Sequence, residues 1–291
     1  MLFSYHTHTD YCDGRASATD MAQASFDAGY SYLGFTSHAP LPFITGWNME
    51  WRHIGAYASN IRSLASAWEP RGLSILLGLE IDYIEGLVAP GDSSYDSIAP
   101  DFRLGSVHFL KNMANDDFTV DEPAEMFTAH MAGLGGDAAA VWKQYYESLT
   151  AMIEAGGFDI IGHFDLVKKN NAGGRWFNED GADYKAAAFA AVDRAAELDR
   201  IAEINTGGLA RGKIDSTYPS LAILKHMAKK GLRLTLGDDA HAPAHLSRYQ
   251  PVAIAAAKAA GYKSLWYMDS HRSWKEIGVD DAGAPSRNGR A

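Results

Sequence analysis

Histidines and carboxylates are the residues of this chain whose types and spacing best suit chemistry. His6 and His8 flank one threonine, and Asp239 and His241 repeat that spacing near the other end of the sequence. Residues i and i+2 of a strand point to the same side, so each pair can present both side chains together. Further residues of these types lie in or just after apolar segments: Asp13, His38, Glu80, His108 and His163. Imidazole and carboxylate groups without thiolate favour zinc, manganese, iron or cobalt.

The position of Glu80 inside the apolar sequence SILLGLEID favours a metal site over separate structural roles. Burying a carboxylate is costly unless a cation or a network of hydrogen bonds compensates it. A single histidine near a strand end is more often a hydrogen-bonded structural residue than a ligand. One shared cause is simpler than a separate explanation for each residue, so the sequence predicts a site for several metal ions.

Short apolar segments typical of buried parallel strands must position these residues. In chain order they are Leu2–His8, Tyr32–His38, Ser74–Asp82, Arg103–Phe109, Phe158–Asp165, Ile201–Thr206 and Arg233–Asp238, with a weaker eighth at Ser264–Met268. Each of the first seven except Ile201–Thr206 has a candidate ligand at or near its C-terminal end. Ile201–Thr206 leads instead into a loop that contains Arg211.

Helical patterns separate these segments and predict an α/β fold. The first helix is expected to begin after Ser17, which caps it, and to stop at Gly29. Strands that alternate with helices form parallel sheets with right-handed crossovers. At this length a closed or nearly closed βα barrel is the economical prediction, and a doubly wound open sheet is the alternative. In a barrel the C-terminal ends of the strands meet at one mouth, which would bring the candidate ligands together.

Two long segments interrupt the alternation, at 40–51 and 111–136, and both are candidates for lids over that mouth. The first carries Phe43, Trp47 and Trp51. These aromatic side chains could close over a ring of the substrate or pack against the rim of the barrel. The pattern leaves both alternatives open.

Composition limits the function classes and the compartment. The 291 residues carry a formal net charge of -10, which disfavours a partner that is a long nucleic acid. The single cysteine permits no disulfide within the chain, and neither a signal peptide nor a membrane span is predicted. We therefore expect a cytoplasmic protein without a membrane partner, with one domain over 1–279 and a disordered polar tail over 280–291.

The candidate ligands and their neighbours resemble the polymerase and histidinol phosphatase (PHP) family. The matching motifs are HTH at 6–8, DG at 13–14, TSHAP at 36–40, GLE at 78–80, GSVHF at 105–109, IGHFD at 161–165 and GDDAH at 237–241. Within the family the chain is most similar to the histidinol-phosphate phosphatases, on the segments GSVHF, WKQYY at 142–146 and EINTGGLAR at 203–211. The chain departs from that subfamily by one extra residue before Arg211 and by lysines at 168 and 169 in place of an arginine.

This resemblance implies a distorted (β/α)7 barrel of TIM type that holds two or three divalent ions of zinc, manganese or iron. The implied ligand sets are His6, His8, Glu80 and Asp239 for one ion, Glu80, His108 and His163 for a second, and Asp13, His38 and His241 for a third. Arg211 and Lys168 would contact the phosphate group, and Asp165 is a candidate proton donor to the leaving group.

The implied reaction is hydrolysis of L-histidinol phosphate, a small phosphorylated substrate, as a step of histidine biosynthesis. One alternative is a phosphoesterase of the same family that acts on another small phosphomonoester or on a phosphodiester such as a nucleotide. A second alternative is a metal-binding module without catalysis. The oligomeric state and the native metal stay open.

Overall fold

Seven parallel strands, hydrogen-bonded to one another in chain order, form the centre of the molecule in the computed structural model, which describes residues 1–110 and 118–285. They are β1 (Leu2–Ser4), β2 (Tyr30–Phe35), β3 (Ser74–Asp82), β4 (Phe102–Ser106), β5 (Ile160–Ile161), β6 (Ile201–Asn205) and β7 (Arg233–Gly237). Each strand pairs in parallel with the next. Their C-terminal ends therefore lie on one face.

The first and last of these strands lie side by side and nearly close the sheet. The Tyr5 amide donates to the Leu236 carbonyl at 3.2 Å, and the His8 amide donates to the Ala240 carbonyl at 2.9 Å. An open, doubly wound sheet would leave these two edges apart. The prediction of a distorted (β/α)7 barrel is confirmed, and the open-sheet alternative is wrong.

The described helices lie in the connections between the strands and after β7. They are α1 (Ala18–Ala28), α2 (Ile54–Trp68), α3 (Ala124–Gly133), α4 (Ala138–Ala155), α5 (Ala182–Glu197), α6 (Gly207–Ala210), α7 (Leu221–Lys230) and α8 (Gln250–Ala260). As predicted, Ser17 caps α1 by accepting from the Asp20 amide, and Gly29 ends it with a φ of 87°. None of the described helices is both long and apolar enough to cross a membrane.

The weaker eighth apolar segment is not a barrel strand. Ser264–Met268 forms β8, which pairs antiparallel with β9 (Trp274–Gly278) in a separate two-stranded sheet. The Tyr5 hydroxyl donates to the Met268 carbonyl at 2.8 Å and accepts from the Met268 amide at 2.7 Å. The hairpin is thus joined to the chain just after β1.

The start of the predicted tail packs against the N-terminus. Ala282 is 6 % exposed. The Gly283 amide donates to the Met1 carbonyl at 2.9 Å. These contacts place 280–285 on the barrel, and residues 286–291 lie outside the described part of the chain. The single domain over 1–279 stays a prediction.

Of the two long segments, 40–51 contains no helix or strand until a short helical turn starts at Trp51. Within the other, 111–117 lies outside the described residues, and the rest contains α3.

Candidate metal centre

Glu80, near the end of β3 and 1 % exposed, lies at the centre of the clustered side chains. Its Oε2 lies 3.1 Å from His6 Nε2, 3.4 Å from His8 Nε2 and 3.0 Å from His38 Nδ1. Its Oε1 lies 2.9 Å from His163 Nε2 and 3.6 Å from His108 Nε2. Five imidazoles from four strand ends therefore converge on one carboxylate, as the positions of these residues in the sequence predict.

Asp13 and His241 extend the cluster toward solvent. The Asp13 carboxylate lies 3.1 Å from His241 Nε2, 3.6 Å from His8 Nδ1 and 3.7 Å from His38 Nε2. One nitrogen or oxygen atom from each of these four residues lies within 4.8 Å of the others. The loop after β1 thus faces the ends of β2 and β7.

Asp239 joins this outer group to the inner one. Its Oδ1 lies 3.5 Å from His8 Nε2, 3.3 Å from His241 Nδ1 and 4.0 Å from His6 Nε2. Its φ is 49°, a conformation that costs free energy for any residue except glycine. Strain of this kind persists where surrounding contacts hold the residue, and here the contacts are those of the cluster.

Two further carboxylates orient the histidines from behind. Glu203 Oε1 lies 2.9 Å from His6 Nδ1 and accepts from the His163 backbone amide at 2.8 Å. Asp82 Oδ1 lies 2.7 Å from His108 Nδ1. Carboxylates in this arrangement fix the tautomer and the direction of a metal-binding imidazole.

Asp82 and Glu203 are not among the site residues predicted from the sequence, although the sequence contains a signal for both. Asp82 lies two residues after Glu80 in the same buried strand, so both side chains point to the same face of the sheet. Glu203 is a carboxylate within the buried strand β6. The cost of burying a carboxylate, which singled out Glu80, applies equally to both.

Buried nitrogen and oxygen atoms without a hydrogen-bond partner show that the cluster fits a cation. Within 1–110 and 118–285 they include His8 Nε2, His38 Nδ1 and Asp13 Oδ1, which are the atoms that face the other ligands. Leaving such atoms unpaired is costly, and a divalent ion would compensate several of them at once. The donor set of imidazole nitrogen and carboxylate oxygen suits a transition-metal ion.

The charges of the cluster are strongly coupled. Burial acts to raise the pKa of Glu80, but His38 and His6 outweigh it and hold that pKa well below its usual value. Burial acts to lower the pKa of His6, but Glu203 and Glu80 raise it well above its usual value. Burial, together with His241 and His38, lowers the pKa of His8 to about 3. His8 is therefore neutral at pH 7, the form in which imidazole binds a metal.

A cavity of about 880 Å³ opens beside the cluster. The cluster lines one side, and Phe43, Trp47 and Phe109 line another. The Trp47 ring stacks on that of Phe109 at 5.5 Å and meets His38 edge-on at 4.7 Å. Trp51 instead stacks on Tyr95 at 5.4 Å, at the rim. Phe43 and Trp47 therefore line the cavity and Trp51 packs on another ring, while closure over a ring of the substrate stays a prediction.

Arg211 and Lys169 are cations that line the cavity. Arg211 Nη2 lies 2.9 Å from Asp239 Oδ2, and its Nη1 lies 3.0 Å from His241 Nδ1. Lys169 Nζ lies 3.1 Å from Asp121 Oδ2. Both positive groups line the cavity, where an anionic ligand can reach them. Arg211 also contacts two candidate metal ligands, Asp239 and His241.

Lys168 and Asp165 are buried, and neither lines the cavity within the described residues, so the roles expected for them stay predictions. Lys168 Nζ donates to the Thr217 carbonyl at 2.7 Å and lies 3.0 Å from Asp165 Oδ2. Asp165 is 0 % exposed, and its Oδ2 accepts from the Ser220 amide at 2.9 Å. A helical turn at Leu166–Lys168 follows His163, and Lys169, the residue after this turn, lines the cavity whereas Lys168 does not.

Comparison with known proteins agrees with this geometry. The family model of the PHP domain matches residues 4–207. A relative from Deinococcus radiodurans, described as "Probable histidinol-phosphatase", is 31 % identical over 246 residues, which cover 83 % of this chain and 87 % of the relative. The histidinol-phosphatase of Bacillus subtilis is 26 % identical over 252 residues, which cover 81 % of this chain and 92 % of the relative.

The fold also matches a solved structure. The histidinol phosphate phosphatase of Lactococcus lactis, crystallised with zinc, L-histidinol and phosphate, superposes with a TM-score of 0.67 at 17 % identity. The match covers 94 % of this chain and 100 % of that one. At this identity the likeness concerns the fold alone. The family match over most of the chain, together with the relative at 31 % identity, shows that this chain belongs to the PHP domain family.

Proposed function

We propose that this protein is a metal-dependent phosphatase that hydrolyses L-histidinol phosphate to L-histidinol and phosphate. The convergence of histidines and carboxylates on Glu80, at one side of a cavity with an aromatic second wall, carries the proposal. The names of the relatives from Deinococcus radiodurans and Bacillus subtilis support the choice of substrate. We further propose that the reaction takes place in the cytoplasm, where a chain with a single cysteine needs no disulfide.

The proposed ligands of two or three divalent ions are those expected from the sequence: His6, His8, Asp13, His38, Glu80, His108, His163, Asp239 and His241. Divalent ions in such a site lower the pKa of a coordinated water toward 7 and neutralise charge on the phosphoryl oxygens. Glu203 holds His6 and the His163 backbone in place, and Asp82 holds His108. The ligands are therefore oriented before any ion arrives.

Arg211 and Lys169 bind the phosphate oxygens in this proposal. The guanidinium of Arg211 can bind two oxygens in parallel, whereas Lys169 acts as a point charge. In the structure Arg211 forms an ion pair with Asp239, and Lys169 forms one with Asp121. If Asp239 held a divalent ion, the negative charge of this carboxylate would be shared, and the Arg211 guanidinium would be more available to the substrate.

The aromatic wall contacts the organic part of the substrate. The Phe109 ring lies 5.5 Å from the rings of both Phe43 and Trp47, and an imidazole ring can stack on such a surface. The volume of about 880 Å³ lies within the range of cavities that hold small molecules. A phosphate group at the metal side and an imidazole at the aromatic side together match L-histidinol phosphate.

The test is phosphate release from L-histidinol phosphate by the protein loaded with zinc or manganese. We expect wild-type turnover of about 1 per second or faster and a loss of at least about 100-fold in Glu80→Gln. Glu197→Gln, an exposed change on α5, is the control and should keep wild-type activity.

Parallel assays with p-nitrophenyl phosphate and bis(p-nitrophenyl) phosphate separate the alternatives. Glu80-dependent activity on these compounds without activity on L-histidinol phosphate would mean that the metal site is right and the substrate is wrong. Bound metal without any esterase activity would indicate a non-catalytic module.

A further inference from the structure

Lys168 and Asp165 form an ion pair buried behind the cavity wall. The nitrogen and oxygen atoms lie 3.0 Å apart, and the side chains are 2 % and 0 % exposed. Neither residue is among those that line the cavity in the described chain. Both charges lose their hydration at such a site, and the pair persists only with good geometry and additional hydrogen bonds. Its contacts therefore indicate what it holds together.

Both partners hold the same short segment, 217–220. Lys168 Nζ donates to the Thr217 carbonyl at 2.7 Å, and Asp165 Oδ2 accepts from the Ser220 amide at 2.9 Å. This segment lies between the loop that contains Arg211 and the start of α7. The ion pair thus connects the turn after β5 to the connection after β6.

Tyr218, in the middle of that segment, contacts both the end of β6 and the candidate ligand His163. It exchanges backbone hydrogen bonds with Asn205 at the end of β6, and its ring lies 6.5 Å from that of His163. Lys168 Nζ lies 5.3 Å from the centre of the same ring. A Cβ at Gly208 would lie only 2.8 Å from the Tyr218 ring, so the segment packs directly against α6. Arg211 follows α6 immediately.

Both segments joined by this connection contribute a cationic residue to the cavity. The turn after β5 begins with His163 and ends with Lys169, which lines the cavity. The connection after β6 carries Arg211, which lines the same cavity. A change in the contacts of Lys168 would alter the separation between the two cationic groups.

We propose that Asp165 and Lys168 are positioning residues that hold Lys169 and Arg211 at the separation required to bind a phosphate group. The inference rests on the phosphatase function proposed above and assigns to these two residues a role without substrate contact. Positioning of this kind matters because small displacements of binding groups are costly to catalysis.

The experiment compares metal-loaded Lys168→Met, Asp165→Asn and Arg211→Gln variants with the double variant Lys168→Met/Arg211→Gln. Lys185→Met is the matched control, since Lys185 forms an ion pair with Asp180 at 2.6 Å on the surface. Affinity for inorganic phosphate is measured by calorimetry, bound metal by mass spectrometry, and kcat and KM by phosphate release from L-histidinol phosphate.

We expect Lys168→Met and Asp165→Asn each to weaken phosphate binding by about 10-fold with unchanged metal content. In the Arg211→Gln background, Lys168→Met should weaken phosphate binding by less than about a further twofold. The contact that Lys168 positions is already lost there. Lys185→Met should behave as wild type.

The proposal is overturned if the effects of Lys168→Met and Arg211→Gln multiply, if metal content falls together with phosphate affinity, or if Lys168→Met binds phosphate as wild type does. If Lys168→Met fails to fold, the phosphate affinity of Asp165→Asn tests the proposal, because asparagine keeps the size of the aspartate side chain. Calorimetry needs no turnover. Wild-type phosphate binding without hydrolysis of L-histidinol phosphate would therefore overturn the proposed function and leave the positioning role to be judged by the variants.

Discussion

Glu203 serves two ligands with one carboxylate. Its oxygens lie 2.9 and 3.0 Å from His6 Nδ1, and Oε1 also accepts from the His163 amide at 2.8 Å. Asn205 donates to the same oxygen at 2.7 Å. A side chain at Gly237 would collide with this carboxylate, so glycine is required there for close approach. Substitution of Glu203 would consequently remove the contacts that hold both His6 and the His163 backbone.

We predict that Glu203→Gln lowers the affinity for the metal ions by about 10-fold to 100-fold, the usual effect of removing an orienting carboxylate. The amide keeps the size of the side chain but loses the charge that holds the His6 ring. Titration of the metal-free protein with zinc, followed by calorimetry, measures the change. Glu197→Gln is the control. Wild-type affinity in Glu203→Gln would mean that Glu203 only fills space.

Residue type and spacing were enough to predict the side chains that gather around Glu80, because every parallel strand ends on the same face. Residue type and spacing did not show that Lys168 and Asp165 would be absent from the described cavity lining. A charged residue just after a strand can point into the mouth or behind it, and a single turn at 166–168 decides which. Lys168 and Lys169 are neighbours in sequence, yet only Lys169 lines the cavity.

At the scale of elements, the segment 40–51 forms one wall of the cavity without regular structure. Hydrogen bonds hold it in place: Asn48 Nδ2 donates to the Ala39 carbonyl at 2.8 Å, and Trp51 Nε1 donates to the Leu41 carbonyl at 3.1 Å. Trp47 then faces the cavity, whereas Trp51 packs on Tyr95. The two tryptophans make matched probes of the same segment.

We predict that Trp47→Ala raises KM for L-histidinol phosphate by about 10-fold, the size of a lost ring contact. The KM for a small aliphatic phosphomonoester, which has no ring to stack, should change little. Trp51→Ala is the control and should lower thermal stability without changing the ratio of the two KM values. Equal increases for both substrates in Trp47→Ala would exclude ring recognition.

The apolar segments predicted the barrel strands well because buried parallel strands are continuous apolar sequences. Ser264–Met268 has the same composition, yet only Leu265 and Met268 are buried in it. It lacks a helical crossover to another parallel strand, since β9 follows after a short turn and pairs with it antiparallel. The composition of a segment therefore does not show which strand it will pair with.

For the molecule as a whole, the buried cluster joins folding to metal binding. Several carboxylates and histidines lie close together in the barrel mouth, and a net charge of -10 adds no compensating surplus of cations. Ions that bind the folded chain and not the unfolded chain stabilise it by mass action.

We predict that zinc or manganese at 100 times its dissociation constant stabilises the metal-free protein by about 2.7 kcal/mol per independent site. A chelator should reverse the increase in Tm. Differential scanning calorimetry with and without metal measures both. In Glu80→Gln the metal-induced increase should shrink, and an undiminished increase there would show that the ions bind elsewhere.

The contact between β1 and β7 also bears on the order of events in folding. His6 and His8 lie at one side of this contact, and Asp239 and His241 lie at the other, more than two hundred residues later in the sequence. A ribosome releases the N-terminal part first, and contacts between distant residues form slowly. His6 and His8 can meet Glu80 early, but Asp239 joins them only after almost the entire chain has been synthesised. Complete loading with metal is consequently a late event in the life of each new molecule.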